Sequence, residues 1–178
     1  MFSKKTKWVL FILSIFFLVS CSKREYIQDN FYRDSRSGKI YYKSKGELNS
    51  TVYNQVDYNI DFNSMFISGA FILDKDSVYY FYGTSSGTLI FKLEDADRKS
   101  FQVLEGGYYA VDKKYVFRAR GEIVKNADIH SFEPIIDSNI DPGLPLGRDK
   151  NNIYLHGDVI TDISDIDGLS EYIMKNPL

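Results

Sequence analysis

A short motif that returns at a nearly constant interval constrains the fold of this chain more than any other feature. It reads Asp-Lys-Asp-Ser-Val-Tyr-Tyr at 74–80, Asp-Lys-Lys-Tyr-Val-Phe at 112–117 and Asp-Lys-Asn-Asn-Ile-Tyr at 149–154. The leading Asp residues of these copies are separated by 38 and 37 residues. Such a period is typical of chains in which units stack on one another, because a single small unit cannot bury its apolar face alone.

A second motif accompanies the first. It reads Ala-Asp-Arg-Lys-Ser-Phe at 96–101, Ala-Asp-Ile-His-Ser-Phe at 127–132 and, in decayed form, Ser-Asp-Ile-Asp-Gly-Leu at 164–169. In the two later repeats, its Asp follows the leading Asp of the first motif by 16 residues. A common interval between two linked motifs strengthens the case for a repeat architecture.

A decayed earlier unit begins at Asp34, which lies 40 residues before Asp74. We therefore predict a single repeat domain that covers residues 34–178. Its units are approximately 34–69, 70–106, 107–144 and 145–178.

Short runs of aromatic and β-branched residues flank each Asp-Lys pair, and Asp, Lys, Asn and Gly separate them, which is typical of β-hairpins. The motif Asp suits the first position of a turn, where its carboxylate accepts a backbone N–H two residues on. Asp97 and Asp128 are predicted to cap single helical turns. We predict an all-β fold with minor α content, made of antiparallel hairpin units of about 37–40 residues with short capped helical turns, stacked or forming a curved meander sheet. The predicted core contains Tyr79, Phe101, Tyr109, Val116 and Phe132.

These motifs resemble those of the DKNYY family of bacterial proteins, which is named for an Asp-Lys-Asn-Tyr-Tyr-like repeat and is often found behind lipoprotein signals. The resemblance covers residues 70–170 well and residues 34–69 weakly. The family has no well-defined shared activity, so the resemblance implies an architecture more than a chemistry.

The first twenty residues differ in composition from the rest of the chain. Lys4, Lys5 and Lys7 precede an apolar run at 8–19, which suits a signal-peptide core and is too short for a permanent transmembrane helix. The run leads into the four residues Leu18, Val19, Ser20 and Cys21.

This ending resembles the lipobox of bacterial lipoproteins. The resemblance implies that residues 1–20 are a lipoprotein signal peptide, that Cys21 carries the lipid and becomes the new N-terminus, and that 21–33 form the lipidated Cys and a tether. Several acyl chains hold a protein stably at a membrane, whereas one chain does so only marginally. We expect a lipid-anchored protein of the cell envelope. Ser22, rather than Asp, follows the Cys, which implies the outer membrane if the bacterium is Gram-negative.

Removal of residues 1–20 leaves 158 residues with 19 Lys and Arg against 24 Asp and Glu, a net charge of −5. An acidic chain without a basic patch argues against nucleic acid as a partner. The expected partners are the membrane, through the lipid, and an envelope protein or polysaccharide. Because Cys21 is the one Cys in the sequence, disulfide frameworks and cysteine-based metal clusters are excluded.

Residues 83–87 match the G-x-S-x-G pattern of a hydrolase nucleophile, which requires a strand, a tight turn and then a helix. The following residues, 88–93, have a strand pattern instead, so we predict a hairpin turn at Ser85. No phosphate-binding loop or dinucleotide fingerprint is present, and we expect no cofactor and assign no catalytic residue.

The acids Asp162, Asp165 and Asp167 do not form an EF-hand, since Ile163 and Met174 occupy two of its ligand positions. Solvated turn acids are the favoured interpretation, and a looser carboxylate site is the alternative. His130 is expected on a capped turn and His156 on a strand face, and the two cannot make a metal site by themselves.

Three Tyr doublets, at 41–42, 79–80 and 108–109, place neighbouring rings on opposite faces of a strand. The outward members are predicted binding residues: Tyr42, Tyr80 and Tyr108. They could stack on sugars or a partner protein, although ordinary packing across strands is the favoured explanation. The Pro-rich segment 137–147 is predicted to be an exposed inserted loop, the kind of element in which binding usually resides.

We expect a non-catalytic binding or scaffolding role. One alternative is a cell-wall or surface-polymer hydrolase that uses an acidic pair in an inserted loop. Another is an envelope protein that assists or neutralises one particular partner.

Overall fold

The computed structural model describes residues 23–178. The predicted signal peptide at 1–20, its lipobox residues Leu18, Val19 and Ser20, and the lipidation site Cys21 lie outside the described residues. Over these described residues, the fold is mostly β, with four antiparallel sheets and one short α-helix, as the repeats predict. Among residues 23–178, no helix combines the length and the apolar character needed to cross a bilayer.

The chain divides into two compact units. The first contains residues 23–57 and 85–88, and the second contains residues 58–84 and 89–178.

The first unit consists mainly of a four-stranded sheet in which consecutive strands are neighbours. Its strands are β1 (Arg24–Gln28), β2 (Phe31–Asp34), β3 (Ile40–Lys45) and β4 (Thr51–Val56), and a 3-10 turn, Glu47–Asn49, precedes β4. The segment 21–33 was expected to be a tether, but it contains β1 and most of β2. Asp29 and Asn30 take left-handed backbone conformations, which suit a two-residue hairpin, and Phe31 beyond them is fully buried.

Three further sheets follow along the chain, again with consecutive strands as neighbours. The second sheet contains β5 (Phe66–Ser68), β6 (Phe71–Leu73), β7 (Val78–Thr84) and β8 (Gly87–Lys92). The third contains β9 (Gln102–Val103), β10 (Tyr109–Val111) and β11 (Val116–Arg118). The fourth contains β12 (Glu133–Pro134), β13 (Leu146–Arg148), β14 (Ile153–Leu155) and β15 (Asp158–Ile160), and the helix α1 (Leu169–Lys175) follows it.

The second unit has its apolar core in three clusters between successive elements. Phe101 contacts the rings of Phe71 and Phe117, with centroids 5.4 and 5.5 Å away. Phe132 makes the same bridge one repeat later, 5.1 Å from Tyr109 and 5.6 Å from Tyr154. The five predicted core residues are all buried, which confirms that part of the prediction: Tyr79, Phe101, Tyr109, Val116 and Phe132.

The leading Asp of each first motif is buried. In the part of the chain that the structure describes, the buried polar or charged residues are these four: Asp34, Asp74, Asp112 and Asp149. Oδ1 of Asp149 accepts the N–H groups of Asn151 and Asn152, both at 2.8 Å. The same pair of bonds, from two and three residues on, occurs at the other three positions, including Asp34 of the decayed first unit.

In the second unit, the other oxygen of each buried carboxylate accepts a backbone N–H from an earlier turn, which for Asp112 and Asp149 is the second motif. Oδ2 of Asp149 accepts the N–H of Asp128 at 2.8 Å, and Lys150 Nζ pairs with Asp128 at 2.5 Å. The hydrogen bond and charge of Lys150 hold the pKa of Asp128 at about 2. Ser131 Oγ accepts the N–H of Lys150 at 3.1 Å, which completes the link between the two turns.

Equivalent links join two further pairs of turns, Asp61 with Asp74 and Asp97 with Asp112. The second motif therefore belongs with the Asp-Lys pair that follows it, and each sheet begins before the predicted unit boundary at 70, 107 or 145.

Candidate functional site

The three Tyr residues named from the sequence as binding residues are half-buried. Burial raises the pKa of Tyr42, whose ring lies edge-on to Phe31 with centroids 5.1 Å apart. Burial also raises the pKa of Tyr80, which stacks on Phe91 at 5.7 Å. Tyr42 belongs to the first unit and Tyr80 to the second. Ligand binding by these rings stays a prediction.

Tyr108, the third of these residues, lines a cleft in the second unit. The cleft has a volume of about 310 Å³ and lies between the turn at 105–109 and the segment 134–146. The second of these segments includes most of the Pro-rich loop singled out in the sequence. Residues 141–143 of this loop are exposed as expected, whereas Ile140 and Leu146 are buried.

The floor of the cleft is apolar. Ile135, Ile140 and Leu146 line it and are 5%, 4% and 2% exposed. They belong to one core cluster with Leu169, the first residue of α1, which is fully buried. Because the floor is part of the folded core, its shape is defined before any ligand arrives.

Local backbone chemistry shapes the loop that forms one wall. Asp137 Oδ1 accepts the N–H of Asn139 and Asp141 Oδ1 accepts the N–H of Gly143, each at 2.8 Å. These are Asx turns, in which a carboxylate caps the backbone two residues on. Pro142 follows Asp141, and its ring restricts φ of the exposed loop.

The hydroxyl of Tyr109 ties this loop to the third sheet. It donates to the carbonyl oxygen of Pro145 at 2.8 Å and accepts the N–H of Gly157 at 3.1 Å. The Pro145 carbonyl also accepts the N–H of His156 at 3.0 Å. Burial raises the pKa of Tyr109, so the hydroxyl keeps its proton and its donor role at all physiological pH values.

Three carboxylates border the cleft: Glu105, Asp137 and Asp141. Neither Lys nor Arg is among the residues of 23–178 that line it. Within that range, Glu105 and the Oδ2 atoms of Asp137 and Asp141 form no hydrogen bond or ion pair. Lys175 interacts electrostatically with one of these carboxylates. Its pKa is raised chiefly by its hydrogen bond to Glu171 at 2.6 Å and to a smaller extent by the charge of Asp137.

The cleft forms where the segment between two linked Asp residues is longer than in the neighbouring repeats. The two linked Asp residues are 21 positions apart for Asp128 and Asp149, against 15 for Asp97 and Asp112. The additional residues supply the loop. Sequence reasoning found the loop through its Pro content but missed Ile135 and Glu105, since neither carries a local motif.

The other candidates from the sequence have simple structural roles. Ser85 lies in the turn between β7 and β8, so the predicted hairpin is confirmed and the helix that a nucleophile elbow requires does not follow it. His130 lies in the turn that Asp128 caps, as predicted. The prediction for His156 is wrong, because it occupies a hairpin turn with a left-handed backbone (φ 54°) and contacts Tyr108 through Nδ1 at 3.2 Å.

The acidic residues near the C-terminus are exposed. Asp162 Oδ1 accepts the N–H and hydroxyl of Ser164, a capping arrangement, and Asp165 and Asp167 lie beyond it in the chain. Over residues 23–178, no group of three or more His, Cys, Asp or Glu side chains is arranged to hold a metal ion.

Comparisons with family models, with curated proteins and with solved structures find no match to this chain.

Proposed function

We propose that the protein is a lipid-anchored component of the bacterial cell envelope that binds a ligand in the cleft between residues 105–109 and 134–146. The observation that carries this proposal is the inserted loop, which departs from the repeat and creates a cleft of about 310 Å³ with an apolar floor. Clefts of roughly 300–1,000 Å³ are typical of small-molecule sites.

The rigidity of the cleft favours binding as its role. Buried core residues form its floor, and the Tyr109 hydroxyl holds the Pro145 end of the loop. A preformed site loses little conformational entropy on binding. The repeats then serve as the scaffold that positions this one variable loop.

The proposals of a lipid anchor and of the DKNYY type are supported by the sequence. The charged head, the apolar core and Cys21 support a lipoprotein, and the recurring Asp-Lys motifs support membership of the DKNYY type. Metabolic labelling with a clickable fatty acid tests the anchor. We expect Cys21→Ala to abolish the label and to release the protein from membranes, and retention of label would contradict the assignment.

Binding at the cleft can be tested with a fragment screen on full-length protein in a non-ionic detergent, followed through ¹³C-methyl resonances of Ile. We expect hits to shift the resonances of Ile135, Ile136 and Ile140 while leaving Ile72 unchanged. Ile72 is fully buried in β6 and does not line the cleft, so it serves as an internal control. A library that shifts none of the cleft resonances would contradict the proposal.

The rim carboxylates favour one alternative, a surface-polymer hydrolase. Asp137 and Asp141 come from the inserted loop, and glycoside hydrolysis uses a pair of such carboxylates. Incubation with peptidoglycan and envelope polysaccharides distinguishes the two functions. New reducing ends that disappear in Asp137→Asn would establish the enzyme, whereas binding without product supports the proposed role.

A further inference from the structure

The distribution of charge around the cleft indicates which class of ligand it takes. Its three bordering side chains with formal charge are Glu105, Asp137 and Asp141, and all are acids. No Lys or Arg of residues 23–178 lines the cleft, and Lys175, which interacts with Asp137 from outside the lining, is already paired with Glu171. A site bordered by charge of one sign attracts the opposite charge and repels its own.

The apolar floor adds a second requirement. Ile135, Ile140 and Leu146 offer no hydrogen-bond partner from their side chains, so the part of a ligand that reaches them must itself be apolar. Tyr108 also lines the cleft, and the π-face of an aromatic ring attracts organic cations.

From these two requirements we infer that the cleft binds a small organic cation, an ammonium or guanidinium group carried on an apolar body. This inference rests on the proposed binding function. The apolar body occupies the floor and the cation lies at the rim among the three carboxylates. The cavity volume equals that of about ten water molecules, which limits the ligand to a small molecule.

The rim charges can be removed without removing the turns they cap. In Asp137→Asn and Asp141→Asn, the amide oxygen still accepts the N–H of Asn139 and Gly143. Glu105→Gln breaks no hydrogen bond that the structure shows. The triple variant therefore neutralises the rim while preserving the loop.

A matched control removes three acids elsewhere. Glu25→Gln, Asp76→Asn and Asp95→Asn combine one Glu and two Asp, all exposed and outside the cleft. This control triple changes the net charge of the protein by the same amount as the rim triple.

The experiment uses full-length protein in a non-ionic detergent and three probes of similar shape: 2-phenylethylammonium, 2-phenylethanol and 3-phenylpropanoate. Titrations are followed through the methyl resonances of Ile135, Ile136 and Ile140. We expect the cation to bind about tenfold more tightly than the alcohol, a ratio that corresponds to about 1.4 kcal/mol, and the anion to bind most weakly. This preference should shrink as NaCl is raised, because the rim is solvent-accessible.

In the rim triple, we expect the cation to lose this tenfold advantage while the affinity of the alcohol stays unchanged. The control triple should behave as the wild type. Equal or tighter binding of the alcohol or the anion to the wild type would overturn the ligand class but leave the binding function intact. A full advantage of the cation in the rim triple would likewise overturn the role of the carboxylates. If none of the probes shifts the cleft resonances at millimolar concentration, both the ligand class and the proposed site fail.

Discussion

Substitution of Asp149 by Asn removes a buried charge from the turn between β13 and β14 while nearly keeping the shape of the side chain. The Asp149 side chain is 2% exposed and accepts four hydrogen bonds. The amide oxygen can retain the two from Asn151 and Asn152. The amide nitrogen then faces the N–H of Asp128 and the hydroxyl of Tyr154, which both donate to Oδ2 at 2.8 Å.

The Tyr154 hydroxyl can rotate to accept from the new amide, but the N–H of Asp128 cannot. One buried donor is left without an acceptor, and a charge-assisted bond becomes a neutral one. Together these losses cost about 3 kcal/mol of unfolding free energy. For a chain of this size that corresponds to a fall in Tm of about 6–12 °C, measured by circular dichroism at pH 7.

Acid provides a second readout. Burial acts to raise the pKa of Asp149. Four hydrogen bonds to the carboxylate outweigh this effect and lower the pKa below its ordinary value in the folded state; they come from the N–H groups of Asp128, Asn151 and Asn152 and from the Tyr154 hydroxyl. A depressed carboxylate pKa contributes stability above the unfolded value of about 3.9, and that stability is lost as pH falls through the folded value. We expect the difference between wild type and Asp149→Asn to shrink below about pH 4.

Asp165→Asn is the matched control, since Asp165 is exposed and forms no hydrogen bond within residues 23–178. Its Tm should change by less than about 2 °C, as expected for a surface substitution. If Asp149→Asn were no more destabilising than this control, the buried Asp would not organise the repeat.

Two further substitutions test the packing and the cleft. Gly147→Ala would place a Cβ 2.6 Å from Cζ of Phe132, so overpacking should lower the free energy of unfolding by about 1–3 kcal/mol and reduce Tm in a thermal melt. The control Gly83→Ala places its Cβ where nothing lies within 4 Å, so its Tm should be nearly unchanged. Equal Tm values for the two variants would contradict the close contact. Tyr109→Phe removes the hydroxyl that donates to the Pro145 carbonyl and accepts the N–H of Gly157. Hydrogen exchange at the N–H of Gly157 should therefore accelerate, and unchanged exchange there would contradict the link between the loop and the third sheet.

The repeat, the hairpins and the core were predictable from the sequence because they depend on local patterns. Asp at the start of a turn and β-branched or aromatic residues beside it specify a hairpin within about ten residues. Phe101 and Phe132 were recognisable as core because they recur at the same place in two motifs.

Contacts between distant turns were not predictable in this way. The 16-residue interval shared by the two later repeats suggested that each second motif belongs with the Asp-Lys pair before it, but Asp128 bonds to Asp149, which comes 21 residues later. The strand β1 was missed because its polar sequence resembles a tether, and it pairs with β2 through the Asp29-Asn30 turn. Of the cleft, the sequence predicted the Pro-rich loop but not the floor, because Ile135 joins the floor through tertiary packing with α1.

The bond between Asp128 and the Asp149 carboxylate joins the two ends of the segment that contains the cleft loop. Similar bonds close segments of different lengths, from Asp61 to Asp74 and from Asp97 to Asp112. The entropy of closing such a loop grows slowly, so lengthening it from 13 to 21 residues costs only about 0.4 kcal/mol. Insertions between the two bonded ends therefore cost the fold little stability. Related chains could acquire new recognition surfaces by changing the length of this loop alone.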